Sequence, residues 1–417
     1  MDPDDDLCPS DYEDGAGPPD SSPPPPEPPA PAPQQGTLDG WAAKVGNFRI
    51  PPAVPVPEGG WMVVDCFASI GGVSMGAKAL GHKVVLAIDN DSDQLAVHAL
   101  NHPEARHECM TLGPESEARV LELIDECVPA SERHRLWLHL SPPCQSQSRM
   151  RSLANASKSE GKRVFGSQKA KRPRAAIEKM MDRARYDEEN QHVKNAGLSL
   201  VAWSLALVAK LNPSQFSIEE VPDRANEVEG LMRAASRQHP ELIDYTIVEM
   251  TRYGVPHHRE RIIAARPGTV HRLRSALSLR EEPPTIRQVL RLEREIKYMF
   301  GTITRPIVPK GELGHKVKQR PMTKGLDPVV NFTDGMVDIY ALDRPSPTVC
   351  CRAFPLADAN YQVVRYTTPE ENRALTTFPA GFRWPRQASK EQKCKGYGNA
   401  IPPLFAQKIF RAASVLV

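Results

Sequence analysis

The sequence predicts an α/β fold: a Rossmann-like, mostly parallel sheet with helices on both faces. Three observations carry this. Strand-like and helix-like blocks alternate from Trp61 onward. The strand-like blocks are near-continuous apolar runs, as strands buried on both faces require. A Gly-rich turn, Ser69-Ile70-Gly71-Gly72, follows the first block, at the end of the sheet where open parallel sheets bind ligands.

The elements follow in chain order. Trp61 to Phe67 reads as a buried strand and Gly71 to Leu80 as a helix, with Gly81 placed to stop it. Lys83 to Asp89 is a second strand and Ser92 to Leu100 a second helix. Glu117 to Cys127 is a helix and Leu136 to Leu140 a strand. Leu198, Val201, Leu205 and Val208 recur at helical spacing. Gln215 to Glu219, Tyr245 to Glu249 and Arg261 to Ala265 are strand-like. Residues 149–195 and 267–342 break the alternation and read as irregular. It resumes near Asp343 and ends in a helix opened by Pro402-Pro403, prolines that suit a first helical turn.

The N-terminal segment has another composition. Residues 1–60 hold 16 of the 41 prolines, and residues 1–43 hold ten Asp/Glu with no Lys or Arg. Such a segment cannot bury enough apolar surface to offset its ordering entropy. Residues 1–58 are therefore expected to be a disordered tail. Removing it from the formal charge of +2 leaves about +12 on residues 44–417, an asymmetry that suits a polyanionic partner. Within 149–187 there are twelve Lys/Arg against four Asp/Glu. The segment Gln35 to Trp41 loosely resembles the motif that docks on sliding clamps, with Ala42 where a second aromatic belongs; a weak clamp contact is all it supports.

Other classes are disfavoured. The longest mainly apolar run, Leu198 to Ala209, is too short to span a bilayer, so no membrane partner is expected. The opening Met-Asp-Pro-Asp-Asp-Asp is followed by no apolar stretch of the secretory kind. Eight cysteines without a Cys-x-x-Cys pair suit a reducing compartment and suggest no metal site.

The chemistry-bearing residues cluster after strands. The spacing at Ser69 to Gly72 is not Gly-x-Gly-x-x-Gly, which disfavours a dinucleotide. Asp89 ends the second strand, where a carboxylate accepts ribose hydroxyls. Together these suggest an adenosine-containing cofactor without a diphosphate. Ser141-Pro142-Pro143-Cys144-Gln145 follows another strand. Its prolines stiffen the turn and present Cys144 at the sheet edge as a candidate nucleophile.

With these residues in view, the chain resembles the cytosine-5 DNA methyltransferases. That family's Asp-x-Phe-x-Gly-x-Gly-Gly motif is matched at 65–72, with Ser69 for the first Gly. Pro143-Cys144-Gln145 matches its Pro-Cys-Gln motif, and Glu219-Glu220-Val221 is similar to Glu-Asn-Val. His257-His258-Arg259-Glu260-Arg261, after Tyr253-Gly254-Val255-Pro256, is similar to Gln-x-Arg-x-Arg. Arg344 to Val349, Thr368 to Phe382 and Gly398 to Pro403 follow in family order. The resemblance covers roughly 61–266 and 343–417.

The resemblance implies a catalytic domain over 59–266, with 149–195 as a long basic active-site loop, completed by 343–417. Residues 267–342 become a small target-recognition region. It implies S-adenosylmethionine as cofactor, bordered by Phe67, Ile70, Gly71, Gly72, Asp89, Asn90, Met110, Pro142, Leu198, Asn399 and Ala400. Cys144 would add to cytosine C6, Glu219 would hydrogen-bond or protonate N3, and Arg259 and Arg261 would hold O2 and the catalytic loop. Double-stranded DNA is the implied partner, with the target base flipped out of the stack and the basic loop on phosphates. A monomer, intracellular and nuclear if eukaryotic, is expected.

Four residues depart from the family pattern: Ser69, Cys109 where an Asp would meet the adenine amino group, Glu220 for Asn, and His257 for Gln. Two alternatives stand beside the enzyme: a methyltransferase-like DNA-binding protein without turnover, and an RNA cytosine-5 methyltransferase. The Cys-Phe-Thr signature of the tRNA-modifying branch is absent from the chain.

Overall fold

The structure is a computed structural model that describes residues 54–143, 196–222, 227–276, 282–300, 318–319, 329–332, 335–360 and 362–415. The acidic segment up to residue 53, Cys144 and the basic stretch 149–195 lie outside the described residues, as does the clamp-like segment 35–41.

A seven-stranded sheet organises the chain. Its strands are β1 (Met62–Cys66), β2 (Lys83–Asp89), β3 (Arg106–Cys109), β4 (Leu136–Leu140), β5 (Gln215–Glu220), β6 (Asp244–Glu249) and β7 (Glu260–Ala265). Their spatial order is β3-β2-β1-β4-β5-β7-β6. Pairings from β3 through β5 are parallel, and β7 runs antiparallel to both of its neighbours. The chain works outward from β1 to β3 and then restarts on the other side of β1 with β4. The loops after β1 and β4 therefore diverge around a crevice, the place where such sheets bind ligands.

The central strands are where the sequence places them, because they are buried on both faces. Val64, Leu86, Leu138 and Ile218 join one core cluster with residues of α3 (Glu117–Cys127), α4 (Ala196–Leu211) and α5 (Glu227–Gln238). Val63, Val84 and Trp137 join another with residues of α1 (Gly72–Lys78), α6 (Pro267–Ala276) and α10 (Pro403–Ala413). Helices thus cover both faces. The helix α2 (Ser92–Asn101) is capped by Asp91, whose carboxylate accepts from the Gln94 amide, satisfying an orphan donor of the first turn. Strand β3 has no apolar pattern to predict it: Arg-His-Glu-Cys sits at the sheet edge, half-buried to exposed.

The region read as irregular is structured in part. Helix α6 packs on β6, β7 and α10. Helix α7 (Ile286–Leu290) follows, with a Thr285/Gln288 capping box. A second sheet is antiparallel throughout: β8 (Tyr298–Phe300), β9 (Lys318–Gln319), β10 (Val329–Phe332), β11 (Gly335–Ala341), β12 (Pro355–Ala357) and β13 (Val363–Tyr366), in the order β9-β10-β11-β8-β12-β13. It takes strands from both sides of position 342. Its own core joins Ile286, Met299, Val349, Phe354, Leu356 and Leu375, the last from α8 (Pro369–Leu375). A parallel bridge between His257 and Ser346 ties it to the main sheet. Helix α9 (Lys390–Asn399) then leads into α10, which packs on α1. A Cβ on Gly76 would lie 2.5 Å from the Ala406 Cβ, so glycine permits that approach. Among the described residues, no helix is long and apolar enough to cross a membrane.

Candidate active site

The turn after β1 is stitched to the end of β2. Phe67 (φ 60°), Ser69 (φ 49°) and Gly71 (φ 86°) are all left-handed, a conformation that costs non-glycine residues about 1–2 kcal/mol each. Hydrogen bonds hold it. The Ala68 amide donates to the Ile88 carbonyl (3.0 Å), and the Ser69 amide to Asp89 Oδ2 (2.8 Å). Asp89 Oδ1 accepts from the Asp91 amide (2.8 Å). A glycine at 69 would relieve the strain. The serine offsets it with a hydroxyl that donates to Gln94 Oε1 (2.6 Å).

The other wall arrives from the C-terminal segment. A Cβ on Gly72 would lie 2.1 Å from the Ile401 carbonyl oxygen, and one on Gly398 2.4 Å from the Cys350 carbonyl carbon. Backbone therefore packs directly on backbone at both glycines. Arg259, 3% exposed, fastens this segment by donating to the carbonyls of Gly398 (2.9 Å) and Asn399 (3.2 Å). Its own amide donates to Glu249 (2.9 Å). Arg261 pairs with Glu219 at 2.6 Å, bringing antiparallel β7 and parallel β5 together at the cleft.

Between these walls lies a cleft of about 280 Å³. It brings together Phe67, Gly72, Asp89, Asn90, Met110, Pro142, Asn399 and Ala400 with Glu219, Arg259 and Arg261, all predicted site residues. Ile70, Gly71 and Leu198 are not among the lining residues. Ile70 packs with Phe378, Phe382 and Tyr397, and Leu198 sits in the main core. Gly71 backs onto His98, 2.8 Å from where its Cβ would stand. Cys144 lies outside the described residues, but Pro142 and Pro143 immediately before it line the cleft.

Several lining residues escape sequence reasoning. Leu200, Lys395 and His139 reach the cleft only through tertiary packing. His139 left one signal: a polar residue inside the apolar run Leu136 to Leu140. Its Nδ1 meets Ser217 Oγ at 2.8 Å, while Nε2 is buried without a partner among the described residues. Burial pushes its pKa down to about 3, so the ring is neutral. Asp65, 1% exposed at the cleft floor, has its Oδ2 2.6 Å from Ser74 Oγ. Burial raises its carboxyl to about 7, and burial also raises Asp89.

The four departures take definite places. Glu220 shares a strand with Glu219, and successive strand residues point to opposite faces; only Glu219 lines the cleft. The Glu220 carboxylate folds back on the Val221 amide. Fully buried His257 accepts from the Val349 amide through Nδ1 (3.5 Å), tying β7's approach to the small sheet. Cys109 is exposed at the end of β3, its thiol 4.0 Å from the Asn90 carbonyl.

No protein-family model matches the chain, and neither does any curated protein. Solved structures do. The S. pombe Dnmt2 methyltransferase is 15% identical, with a TM-score of 0.50 over 84% of this chain and 97% of that one. A prophage-encoded E. coli protein described as a DNA modification methyltransferase is 18% identical (TM-score 0.49, 84% and 98% covered). The Spodoptera frugiperda DNMT2 is 15% identical (TM-score 0.48, 85% and 99%). The class is thereby set by the first of these: the chain carries a methyltransferase fold. The α/β Rossmann-like sheet expected from the sequence is the one observed.

The cleft fits S-adenosylmethionine. Phe67, Met110, Leu112 and Pro142 supply apolar walls, and the buried carboxyl groups of Asp65 and Asp89 line the same cleft, a combination that suits a ligand with apolar faces and a positive charge. Burial pushes both carboxyls toward the neutral acid, and a cationic ligand would favour their ionised form.

Proposed function

We propose that this chain is a cytosine-5 methyltransferase acting on duplex DNA. The observation that carries the reading is the convergence on one cleft of Glu219, Arg261, Arg259 and the Pro142-Pro143 turn that leads to Cys144. These come from three separate family-like motifs. A structural ion pair or a packing proline needs no such meeting.

Bound S-adenosylmethionine supplies an electrophilic methyl group. Asp89 suits the ribose hydroxyls, since each carboxylate oxygen keeps a free acceptor site after its backbone bond. Phe67 and Pro142 suit the adenine faces. Cytosine C5 is a poor nucleophile. The Cys144 thiolate adds to C6, and the electron pair becomes enamine-like at C5. C5 would then be the nucleophile for the methyl group that bound S-adenosylmethionine would supply. Loss of the C5 proton and departure of Cys144 restore aromaticity and the thiolate. Glu219 serves N3, where charge builds during addition. Arg261 orients that carboxylate through a charge-assisted bond. Arg259 acts at one remove by holding Gly398 and Asn399 in the cofactor wall.

The basic charge of residues 44–417, about +12, supports a nucleic acid as substrate. Tritiated methyl transfer from S-adenosylmethionine to duplex DNA and to tRNA, wild type beside Cys144→Ala, tests the proposal. Incorporation into DNA that the variant loses is expected. Incorporation into tRNA alone would reassign the substrate. None with a folded protein that binds the cofactor would leave a methyltransferase-like binding protein.

A further inference from the structure

A continuous file of hydrogen-bonding groups runs from the cleft floor away from the cleft. Asp65 Oδ2 meets Ser74 Oγ at 2.6 Å, Ser74 Oγ meets His98 Nε2 at 3.0 Å, and His98 Nδ1 meets His107 Nε2 at 2.8 Å. Asp65, Ser74 and His98 are buried, whereas His107, on edge strand β3, is partly open to solvent. The file joins β1, α1, α2 and β3, so it is built by the tertiary fold. The reaction proposed above has no use for Ser74, His98 or His107. A purely structural carboxylate needs one or two partners, but this one ends a relay that reaches solvent.

Resting on the cofactor reading above, we propose that Asp65 discriminates the cationic methyl donor from its neutral product by charge, its proton travelling to and from solvent through Ser74, His98 and His107. In the free cleft Asp65 holds a proton and donates it to Ser74 Oγ. The Ser74 hydroxyl donates to His98 Nε2, and His98 Nδ1–H donates to His107 Nε2. A sulfonium arriving over the floor favours the carboxylate. The Asp65 proton passes to Ser74 oxygen as the Ser74 proton passes to His98 Nε2. The His98 Nδ1 proton passes to His107 Nε2, and His107 Nδ1 releases one to water. One proton leaves, and every ring is neutral before and after. Methyl transfer removes the ligand's positive charge, and the reverse sequence reprotonates Asp65, weakening any hold on the product.

The surroundings agree. Asp89 on β2 faces Asp65 and adds negative charge. His139 on β4, register partner of Asp65, stays neutral. His102 stacks on His98 with ring centroids 4.7 Å apart. At the outer end, Glu104 and Lys78 form an ion pair at 3.4 Å beside His102. Glu219 carries its own counter-ion, Arg261. Lys395 is 3.7 Å from Asp91, and Arg259 is turned to the carbonyls of Gly398 and Asn399.

Calorimetric titration of the full chain, repeated in buffers of different ionisation enthalpy, counts the protons. With Asp65 near 7 in the free protein, S-adenosylmethionine should release about one proton at pH 6, about half at pH 7 and almost none at pH 8. S-adenosylhomocysteine should release almost none throughout. Asp65→Asn should abolish the release and flatten the pH dependence of donor affinity, about tenfold per pH unit below 7 in the wild type. If that variant does not fold, Ser74→Ala should move the release midpoint to higher pH, because the lost hydroxyl had favoured the carboxylate. In stopped flow with an indicator dye, His98→Phe should slow release at least about tenfold without changing its final count. Equal release by donor and product, or release that survives Asp65→Asn or keeps its midpoint in Ser74→Ala, overturns the assignment. An unchanged rate in His98→Phe overturns the route. A folded protein that binds neither ligand overturns the cofactor reading, and this proposal with it.

Discussion

The two sheets of this molecule use their strands differently. In the main sheet, strands are parallel and covered on both faces, so polar chemistry is confined to their carboxyl ends. Asp65, Asp89, His139 and Glu219 all lie in strands that are largely buried, and all face one cleft. The small sheet is antiparallel and lends no strand residue to the cleft among those described. Its edge strand β13 alternates, exposing Val364 and Tyr366 at 54% each while the residues between and before them are half-buried. One sheet is a frame for a site. The other is a separate surface, attached through the His257–Ser346 bridge.

The largest expected effect lies where chemistry is densest. Cys144→Ala should lower methyl transfer by at least about a thousandfold while leaving S-adenosylmethionine binding in place, read by tritium incorporation beside calorimetry. Next come paired truncations. Phe405→Ala, in the fully buried layer between α10 and the main sheet, should cost about 3–5 kcal/mol in denaturant unfolding. Tyr366→Ser on the small sheet should stay within about 0.5 kcal/mol and should weaken neither cofactor binding nor turnover beyond twofold. A larger effect of Tyr366→Ser on turnover would make the small sheet part of the substrate site.

Two arginines sharpen the comparison further. Arg259 is buried and its guanidinium bonds two backbone carbonyls. Arg365, on β13, is about a third exposed and bonds Glu371 and Glu293. Charge-assisted bonds in a dry site are each worth about 1.5–3 kcal/mol, whereas exposed pairs are worth about 0–1. Arg259→Ala should therefore cost about 2–4 kcal/mol and weaken cofactor binding about ten- to a hundredfold, since the Gly398–Asn399 wall loses its anchor. Arg365→Ala should cost under about 1 kcal/mol. Equal costs would mean that the wall is held by backbone packing at Gly72 and Gly398 alone.

The same contrast governs how much could be read from sequence. Buried parallel strands announce themselves: Lys83 to Asp89 and Leu136 to Leu140 are observed with the boundaries their apolar runs give, as is the amphipathic helix Glu117 to Cys127. Strand β3 and helix α6 do not. The first is an edge strand of polar residues, and the second opens on Pro-Gly, a turn signal that tertiary packing overrides. The short strands of the small sheet lack the length for a period to show. In the cleft, residues within short motifs were legible because chemistry fixes their identity. Leu200 and Lys395 were not, since only the placement of α4 and the return of α9 bring them there. The relay of Ser74, His98 and His107 had no sequence signal, being spread over three elements.

Asp65 also ties the site to global stability. Its folded pKa of about 7 lies above the ordinary 3.8, so the native state binds more protons than the unfolded chain between those values. Stability should fall as pH rises through that window, by up to about 1.4 kcal/mol per pH unit, and level off above 7. Asp89 adds in the same direction. Acid-to-neutral denaturant titrations of wild type and Asp65→Asn would show the variant's curve flatter between pH 4 and 7. Parallel curves would mean that Asp65 is no more protonated in the fold than out of it.

The smallest effect tests the strained turn itself. Ser69 stands at φ 49° with its hydroxyl on Gln94. Ser69→Ala keeps the unfavourable backbone and loses the bond, so it should destabilise by about 1 kcal/mol. Ser69→Gly also loses the bond but relaxes the backbone, at the cost of a more flexible unfolded chain. These terms nearly cancel, leaving glycine within about 1 kcal/mol of wild type and more stable than alanine. The order, glycine above alanine, is the informative result. If alanine matches glycine, the left-handed turn at 69 is not held in solution, and Asp89 is freed from the bond that fixes it at the cleft. If alanine is the worse of the two and also weakens cofactor binding, the hydroxyl on Gln94 helps hold the pocket's rim in place, and this serine has taken over by hydrogen bonding what glycine supplies by conformational freedom.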